Sequence, residues 1–226
     1  MIKLGLIGAN ISHSKSPAIY SGLLKSPHRY DLIDVLDEGA LPALSSLGDY
    51  FGLNITSPYK LNYLPQLSSF PQKWKAVNCL KNNAGDWIGT NTDATALEEL
   101  IPLYAKKWNI DHWVILGDGA MANVTKIILK DRGLVSTQFS RRMGDDFDQF
   151  SFFDQLDPSE RICVVNCCSR QLVIKGSLSS NWVFWDYNYL HTVHANSIPG
   201  KVKEYIDGES LLITQAKHAV KFWGLA

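Results

Sequence analysis

A lysine and an aspartate in the first half of the chain follow segments that have the pattern of buried strands. Lys60 lies in GLNITSPYK, just beyond the apolar run 51–55, and Asp93 lies in GTNTDATAL, just beyond 87–90. Because open α/β sheets bind ligands at strand ends, each of the two side chains is a candidate for contact with a ligand. Taken singly, Lys60 also fits a solvated lysine and Asp93 a helix cap.

Hydroxyl side chains accompany this pair. Ser14 and Ser16 stand in SHSKSP, immediately before Pro17, and Thr56 precedes Lys60 in the same segment. Proline is favoured at the first position of a helix, so the serines are predicted either to cap a helix or to face a ligand at its start.

A glycine turn in the second half points to a dinucleotide. Gly117 to Ala122, GDGAMA, fit G-x-G-x-x-A directly after a strand pattern and at the start of a helix pattern. The first glycine makes the turn, the second admits a pyrophosphate, and the small third residue packs helix on sheet. Gly117, Gly119, Ala120 and Ala122 are therefore predicted to bind a cofactor at a helix N-terminus, with a plain βα turn as the alternative. Asp118 would repel the phosphates unless it points away.

The strand after this turn favours NADP over NAD. It ends in Ser140, Arg141 and Arg142, and the next carboxylate is Asp145. An NAD site places an acidic residue about 20 positions beyond the first glycine to bind the ribose 2′-hydroxyl. Two guanidiniums instead suit a 2′-phosphate, although two solvated loop arginines remain the alternative.

Two other clusters are interpreted as structural. Cys167 and Cys168 could suggest redox chemistry, but they fit small residues at the end of a buried strand. His191 and His194 form H-x-x-H with no carboxylate in register, so an ordinary loop and no metal site are expected.

Composition excludes several classes of protein. The chain has 226 residues, 46% of them hydrophobic and 19% charged, so it can bury a core and is not mainly disordered. Lys and Arg (22) balance Asp and Glu (22), so no nucleic-acid or membrane partner is expected. The N-terminus lacks a secretory signal, and the four cysteines match no disulfide scaffold, which predicts a cytoplasmic protein.

Alternating strand and helix patterns predict an α/β protein of two domains. In the first half we expect strands over 2–8, 30–33, 51–55, 76–81 and 87–90, with helices from Ser16 and over the Leu41, Leu44 and Leu47 periodicity. In the second half we expect helices over 94–107, 120–132 and 211–223, and strands over 112–116, 135–139, 161–165 and 182–185. We expect residues 1–97, completed by a C-terminal helix over 209–226, to bind substrate through a mixed sheet. Residues 98–208 should form a Rossmann-like NADP-binding domain, with the ligands in a cleft between the domains.

Together these segments resemble those of shikimate dehydrogenases. GLIGANISHSKSP, GLNITSPYK, AVNCL, IGTNTD, the glycine turn after VIL and LLITQAKHAVKFWG occur in the order and approximate spacing of that family. The resemblance covers nearly the whole chain. It implies a reversible, NADP-dependent reduction of 3-dehydroshikimate to shikimate in the shikimate pathway of aromatic amino-acid biosynthesis.

The resemblance also implies roles for individual residues. Lys60 and Asp93 match the catalytic pair, and Ser14 and Ser16 match the holders of the substrate carboxylate. The matches to residues that hold the rest of the substrate are Thr56, Asn78, Gln215 and, with the loosest alignment, Tyr189. Arg141 carries over from an N-R-T cofactor motif, and Asn166 from an N-A-T-S motif beside the nicotinamide.

Two rival functions stay open. A quinate or shikimate dehydrogenase with relaxed substrate choice differs by one ring hydroxyl and its nearest partners. A catalytically silent sensor of NADP or of a ligand is suggested by the glycine turn, which has Asp118 and Ala120 where the family usually has a small apolar residue and a glycine, and by a chain shorter than is usual for the family. The presence of both Lys60 and Asp93 weighs against it. Either a monomer or a homodimer is expected.

Overall fold

The computed structural model describes residues 1–226 and divides the chain into two units. Unit 1 comprises Met1–Ala96 and Ile213–Ala226, and unit 2 comprises Leu97–Leu212. Each unit contains one five-stranded sheet. No helix has both the length and the apolar character that crossing a bilayer requires.

The strands and helices follow one another along the chain in the expected alternation. The strands are β1 Ile2–Gly8, β2 His28–Asp34, β3 Gly52–Ile55, β4 Cys79–Asn83, β5 Asp86–Thr90, β6 His112–Leu116, β7 Ser136–Phe139, β8 Ile162–Asn166, β9 Val183–Asp186 and β10 Glu204–Ile206. The helices are α1 Ser16–Leu23, α2 Thr92–Trp108, α3 Ala120–Asp131, α4 Thr192–Ser197 and α5 Glu209–Trp223.

The sheet of unit 1 is mixed. Its order is β2-β1-β3-β4-β5, with β1 parallel to β2 and β3, and with β4 antiparallel to both of its neighbours. Side chains alternate between its faces: Leu4 joins a cluster with α1 and α5, whereas Ile7 joins a cluster with the segment between β2 and β4. Both faces are thus buried, and polar side chains can be held at the strand ends.

The sheet of unit 2 is parallel throughout, in the order β10-β9-β8-β6-β7. Its central strands are apolar on both faces, as a parallel sheet covered on two sides requires. The strand order reverses between β6 and β8, which is where doubly wound sheets bind ligands. The predicted fold class, α/β with a mixed sheet and a Rossmann-like sheet, is confirmed.

The C-terminal helix α5 belongs partly to unit 1 through Trp223. This side chain is 1% exposed, and its Nε1 donates to the Leu80 carbonyl at 2.8 Å. Gly52 of β3 makes room for the indole, because a Cβ at this position would lie 2.4 Å from Trp223 Nε1. The helix is therefore anchored to the sheet by a close contact that only glycine permits.

Three parts of the chain differ from the sequence-based expectation. The helix expected over Leu41, Leu44 and Leu47 is wrong: the chain forms two 3₁₀ turns, Glu38–Ala40 and Leu44–Leu47. Pro42 explains the break, because proline disfavours the helical conformation of the residue before it. The short elements α4 and β10 were not expected, since segments of this length carry too little periodicity to be recognised.

Candidate active site

Lys60 and Asp93 meet in unit 1. Lys60 Nζ lies 2.5 Å from Asp93 Oδ2, and the two side chains are 13% and 12% exposed. Lys60 is positioned by its own backbone, whose carbonyl accepts from the Val77 amide at 3.0 Å. Asp93 lies in the first turn of α2, where Asn91 Oδ1 accepts from the Ala94 amide at 2.9 Å. An ammonium and a carboxylate are thus held together with little contact with water.

The two serines of SHSKSP also lie together. Ser14 Oγ donates to Ser16 Oγ at 3.1 Å and accepts from the Ser16 amide at 3.2 Å. Ser14 therefore accepts from the first amide group of α1, but the N-cap position is Lys15, which makes no side-chain capping bond, so neither serine is the N-cap that the alternative predicted.

Thr56 is packed against the loop that leads to these serines. Its amide donates to the Ile7 carbonyl at 2.9 Å, just beyond β3. A Cβ on Gly8 would lie 2.3 Å from Thr56 Cγ2, so the close approach of β1 and Thr56 depends on a glycine.

Asn78 and Gln215 are joined by a residue that the sequence did not single out. Thr92 contacts both side-chain amides through hydrogen bonds, and all three residues are buried. The sequence signal for Thr92 is only its place between Asn91 and Asp93 at the start of α2. That position indicates a helix start and gives no sign of a partner near the C-terminus.

The glycine turn of unit 2 connects β6 and α3 as predicted. Gly117 has a φ of +104°, which favours glycine, and its amide donates to the Phe139 carbonyl at 2.8 Å. Gly119 is the N-cap of α3 with no side-chain capping bond, and nothing lies within 4 Å of where its Cβ would be. Ala122 is fully buried, and Ala120 is partly exposed. The turn therefore exposes backbone at the N-terminus of a helix.

The residues after β7 divide between inward and outward positions. Ser140 is buried and its Oγ accepts from the Met143 amide, so its hydroxyl caps a 3₁₀ turn. Arg141 and Arg142 are exposed, and Arg142 Nε lies 3.5 Å from Asp118 Oδ2. The negative charge of Asp118, which would repel the phosphates of a dinucleotide, is thus partly compensated by the Arg142 guanidinium.

Asn166, which the resemblance predicts to bind the cofactor, is held by hydrogen bonds within unit 2. It is fully buried; its Nδ2 donates to Asp186 Oδ1 at 3.0 Å and its Oδ1 accepts from the Cys168 amide at 3.1 Å. Both ends of the amide shape the loop that follows β8. Tyr189 is partly exposed and packs against Arg170, whose guanidinium lies 4.8 Å from the ring centroid.

The expectation that no carboxylate accompanies the histidines is wrong. His194 Nδ1 lies 2.6 Å from Asp186 Oδ2 and 2.8 Å from His191 Nδ1, and these three buried groups are close enough to hold a metal ion. However, the Ile174 amide donates to His194 Nε2 at 3.1 Å, so neutral His194 carries its proton on Nδ1, toward Asp186. A metal on Nδ1 would move that proton to Nε2, against the Ile174 N–H. The hydrogen-bond pattern therefore favours a proton at this position.

The cysteines near the glycine turn, Cys167 and Cys168, are half-buried thiols. Burial raises the pKa of Cys168 to about 11, although nearby Arg141 lowers it, and burial also raises the pKa of Cys167. Because the thiolate is the reactive form, both side chains are poor nucleophiles at neutral pH. This supports the structural interpretation over redox chemistry.

Comparisons with known proteins identify chains of similar sequence and fold. A family model described as the shikimate dehydrogenase substrate binding domain matches residues 6–80. The shikimate dehydrogenase (NADP(+)) of an Exiguobacterium species is 31% identical over 245 residues, covering 98% of this chain and 92% of that protein. The protein of the same name from Hyphomonas neptunium is 27% identical over 249 residues, covering 97% and 90%. The solved shikimate 5-dehydrogenase of Thermus thermophilus, in complex with NADP(H) and shikimate, has the same fold, with a TM-score of 0.73 at 20% identity over 99% of this chain and 93% of that one.

Proposed function

The chain belongs to the shikimate dehydrogenase family, and from this premise we propose that it reversibly reduces 3-dehydroshikimate to shikimate with NADP. The observation that carries the proposal is the 2.5 Å contact between Lys60 Nζ and Asp93 Oδ2, with both side chains largely withdrawn from water. Both of the relatives quoted above carry the name shikimate dehydrogenase (NADP(+)).

Lys60 is the proton donor and acceptor in this proposal. When a ketone takes up a hydride its oxygen becomes an alkoxide, and a positioned acid within about 3 Å accelerates this step by roughly 10²- to 10⁴-fold. The Lys60 ammonium supplies that proton, and neutral Lys60 takes the hydroxyl proton in the opposite direction. Asp93 orients the lysine and compensates its positive charge.

The remaining polar residues of unit 1 hold and orient the substrate. The adjacent hydroxyls of Ser14 and Ser16 bind the carboxylate as neutral donors, which hold an anion without the strong attraction that would retain product. Thr56, Asn78 and Gln215 bind the ring hydroxyls. Tyr189 is included as a substrate-side residue on the family resemblance alone.

The residues of unit 2 fit NADP. The backbone at Gly119 is open to close approach by a pyrophosphate, and the start of α3 has no capping side chain. The exposed guanidiniums of Arg141 and Arg142 match a 2′-phosphate. When bound, NADPH supplies the hydride. Ser140 and Asn166, being buried, support this role by fixing the loops after β7 and β8.

We extend the proposal to the organisation of the chain. Unit 1 is the substrate-binding domain and unit 2 the NADP-binding domain, acting in a cytoplasmic monomer or homodimer. Support for this organisation comes from the match of the substrate binding domain to residues 6–80, which lie within unit 1.

The test is an assay of the purified chain with shikimate or quinate, each paired with NADP⁺ or NAD⁺. The reaction is monitored by the absorbance of the reduced dinucleotide. We expect the highest kcat/KM for shikimate with NADP⁺. Comparable turnover of quinate would favour the relaxed enzyme. Binding of NADP⁺ without turnover of either substrate would contradict the proposal and favour the sensor.

A further inference from the structure

Thr92 connects the two side-chain amides that the proposed function assigns to the substrate. Its backbone N–H donates to Asn78 Oδ1 at 2.6 Å, and Asn78 Nδ2 lies 3.0 Å from its hydroxyl. The same hydroxyl lies 3.1 Å from Gln215 Oε1. Thr92, Asn78 and Gln215 are 2%, 3% and 7% exposed, so water cannot replace these bonds easily.

The direction of each bond follows from the backbone amide. A backbone N–H can only donate, so the end of Asn78 that faces it must be the oxygen, and Nδ2 must then face the Thr92 hydroxyl. The hydroxyl accepts from Nδ2 and has one proton of its own to donate. Two oxygens lie within reach of that proton: Gln215 Oε1 at 3.1 Å and Asn78 Oδ1 at 3.2 Å, the latter already accepting the backbone N–H. Gln215 Oε1 is the nearer acceptor and does not share the backbone N–H, so the hydroxyl donates to Gln215.

We propose that Thr92 is a positioning residue that fixes the polarity of both amides. With the Asn78 and Gln215 oxygens held by Thr92, the groups that these side chains offer to a ligand are N–H donors. This inference rests on the proposed function, because it takes both amides to contact the substrate. It implies that the ring oxygens facing Asn78 and Gln215 are recognised as hydrogen-bond acceptors.

A pair of variants separates the hydroxyl from the rest of the side chain. Thr92→Val keeps the shape and the backbone N–H but removes the hydroxyl, whereas Thr92→Ser keeps the hydroxyl and removes the methyl group. We expect T92V to raise KM for shikimate at least tenfold with kcat within about threefold of wild type, and T92S to stay within about threefold in both. KM for NADP⁺ should not change in either variant. A T92V enzyme with wild-type KM for shikimate, or a T92S enzyme as impaired as T92V, would overturn the proposal.

A second measurement uses the wild-type chain and needs no turnover. In ¹⁵N-labelled protein, the side-chain NH₂ signals of Asn78 and Gln215, assigned by their loss in Asn78→Asp and Gln215→Glu, should shift on titration with shikimate. Signals that stay in place while shikimate binds would overturn the proposal even if T92V fails to fold. If shikimate binds and shifts the NH₂ signals of Asn78 and Gln215 but is not turned over, the proposed function is contradicted and the proposed role of Thr92 still holds.

Discussion

The Lys60 ammonium is the group expected to move a proton, and Asp93 holds it in place through a contact of 2.5 Å. Replacing Lys60 by Ala removes the acid and base while leaving the substrate-holding residues unchanged. We expect kcat to fall by at least about 10²-fold while the Kd for shikimate changes by less than about tenfold. Steady-state kinetics and calorimetric titration measure the two quantities.

The matched control for this variant is Lys25→Ala, because Lys25 is an exposed lysine that follows α1 in the same unit. Its kcat should equal that of wild type. Near-normal turnover of Lys60→Ala would remove Lys60 from the mechanism. A large loss of shikimate binding would instead show that Lys60 mainly holds the substrate.

Arg141 tests the choice of cofactor at the level of one side chain. Its guanidinium is exposed after β7, where a 2′-phosphate is expected. Losing a hydrogen bond to a charged group costs about 1.5–3 kcal/mol, so Arg141→Ala should weaken NADP⁺ binding roughly 10- to 150-fold. NAD⁺ lacks the phosphate and is the internal control, with an unchanged Kd in fluorescence titrations. Equal losses for both dinucleotides would show that Arg141 does not contact the 2′-phosphate.

At the scale of elements, the parts predicted correctly are those with long or repeated patterns. β1, α2, the β6-turn-α3 unit and α5 are visible in the sequence because their apolar periodicity extends over several residues. The 3₁₀ turns between β2 and β3 were mistaken for a helix because leucine spacing alone does not reveal the effect of Pro42. α4 and β10 are too short to produce a pattern.

The candidate site was predictable only where a motif was local. Lys60 and Asp93 stand in recognisable segments, and the structure brings them together. Thr92 was missed because its partner Gln215 is 123 residues away in sequence. The burial of Asn166 was not predicted, because no sequence pattern shows whether an amide side chain at a strand end makes its hydrogen bonds to the protein interior or to a ligand.

Gly52 is the residue through which α5 attaches to the sheet of unit 1. An added Cβ would lie 2.4 Å from Trp223 Nε1, so Gly52→Ala should displace the indole and weaken its bond to the Leu80 carbonyl. Overpacking of this kind typically costs about 1–3 kcal/mol. We expect a lower thermal midpoint by calorimetry and weaker shikimate binding, because Gln215 lies on the same helix.

The control substitution is Gly22→Ala in α1, where no atom lies within 4 Å of the added Cβ. Alanine is the better helix former by about 1 kcal/mol, so this variant should be at least as stable as wild type. A Gly52→Ala protein with an unchanged midpoint would show that the indole moves aside without cost, and that α5 does not depend on this contact.

For the whole molecule, local charge pairs matter more than net charge. Acidic and basic residues balance, 22 against 22, so the chain has no overall attraction for an anionic ligand. Binding of an anionic substrate or cofactor must then come from specific groups, such as the serine hydroxyls and the exposed arginines. We therefore attribute specificity to the positions of a few groups, each fixed by a strand end or a helix start.

Two carboxylates with lowered pKa values, Asp186 and Asp157, predict how the stability of the molecule depends on pH. Burial raises the pKa of Asp186, but hydrogen bonds from His194 and Asn188 outweigh burial and hold the pKa below its usual value. Hydrogen bonds from Ser159 likewise lower the pKa of Asp157. In acid the unfolded chain then binds more protons than the folded one. The two carboxylates therefore contribute their full stabilisation above about pH 4, the ordinary pKa range of carboxyl groups. This contribution to the free energy of unfolding is lost as the pH falls through their folded pKa values.

We therefore expect the free energy of unfolding, measured by urea denaturation, to decrease steeply below about pH 4. Asp186→Asn should be less stable than wild type at pH 7 and should show a shallower decrease in acid, because it lacks the buried carboxylate. Asp148→Asn, at an exposed position, is the control and should follow wild type throughout. An Asp186→Asn protein with the wild-type acid profile would mean that Asp186 does not couple folding to proton binding.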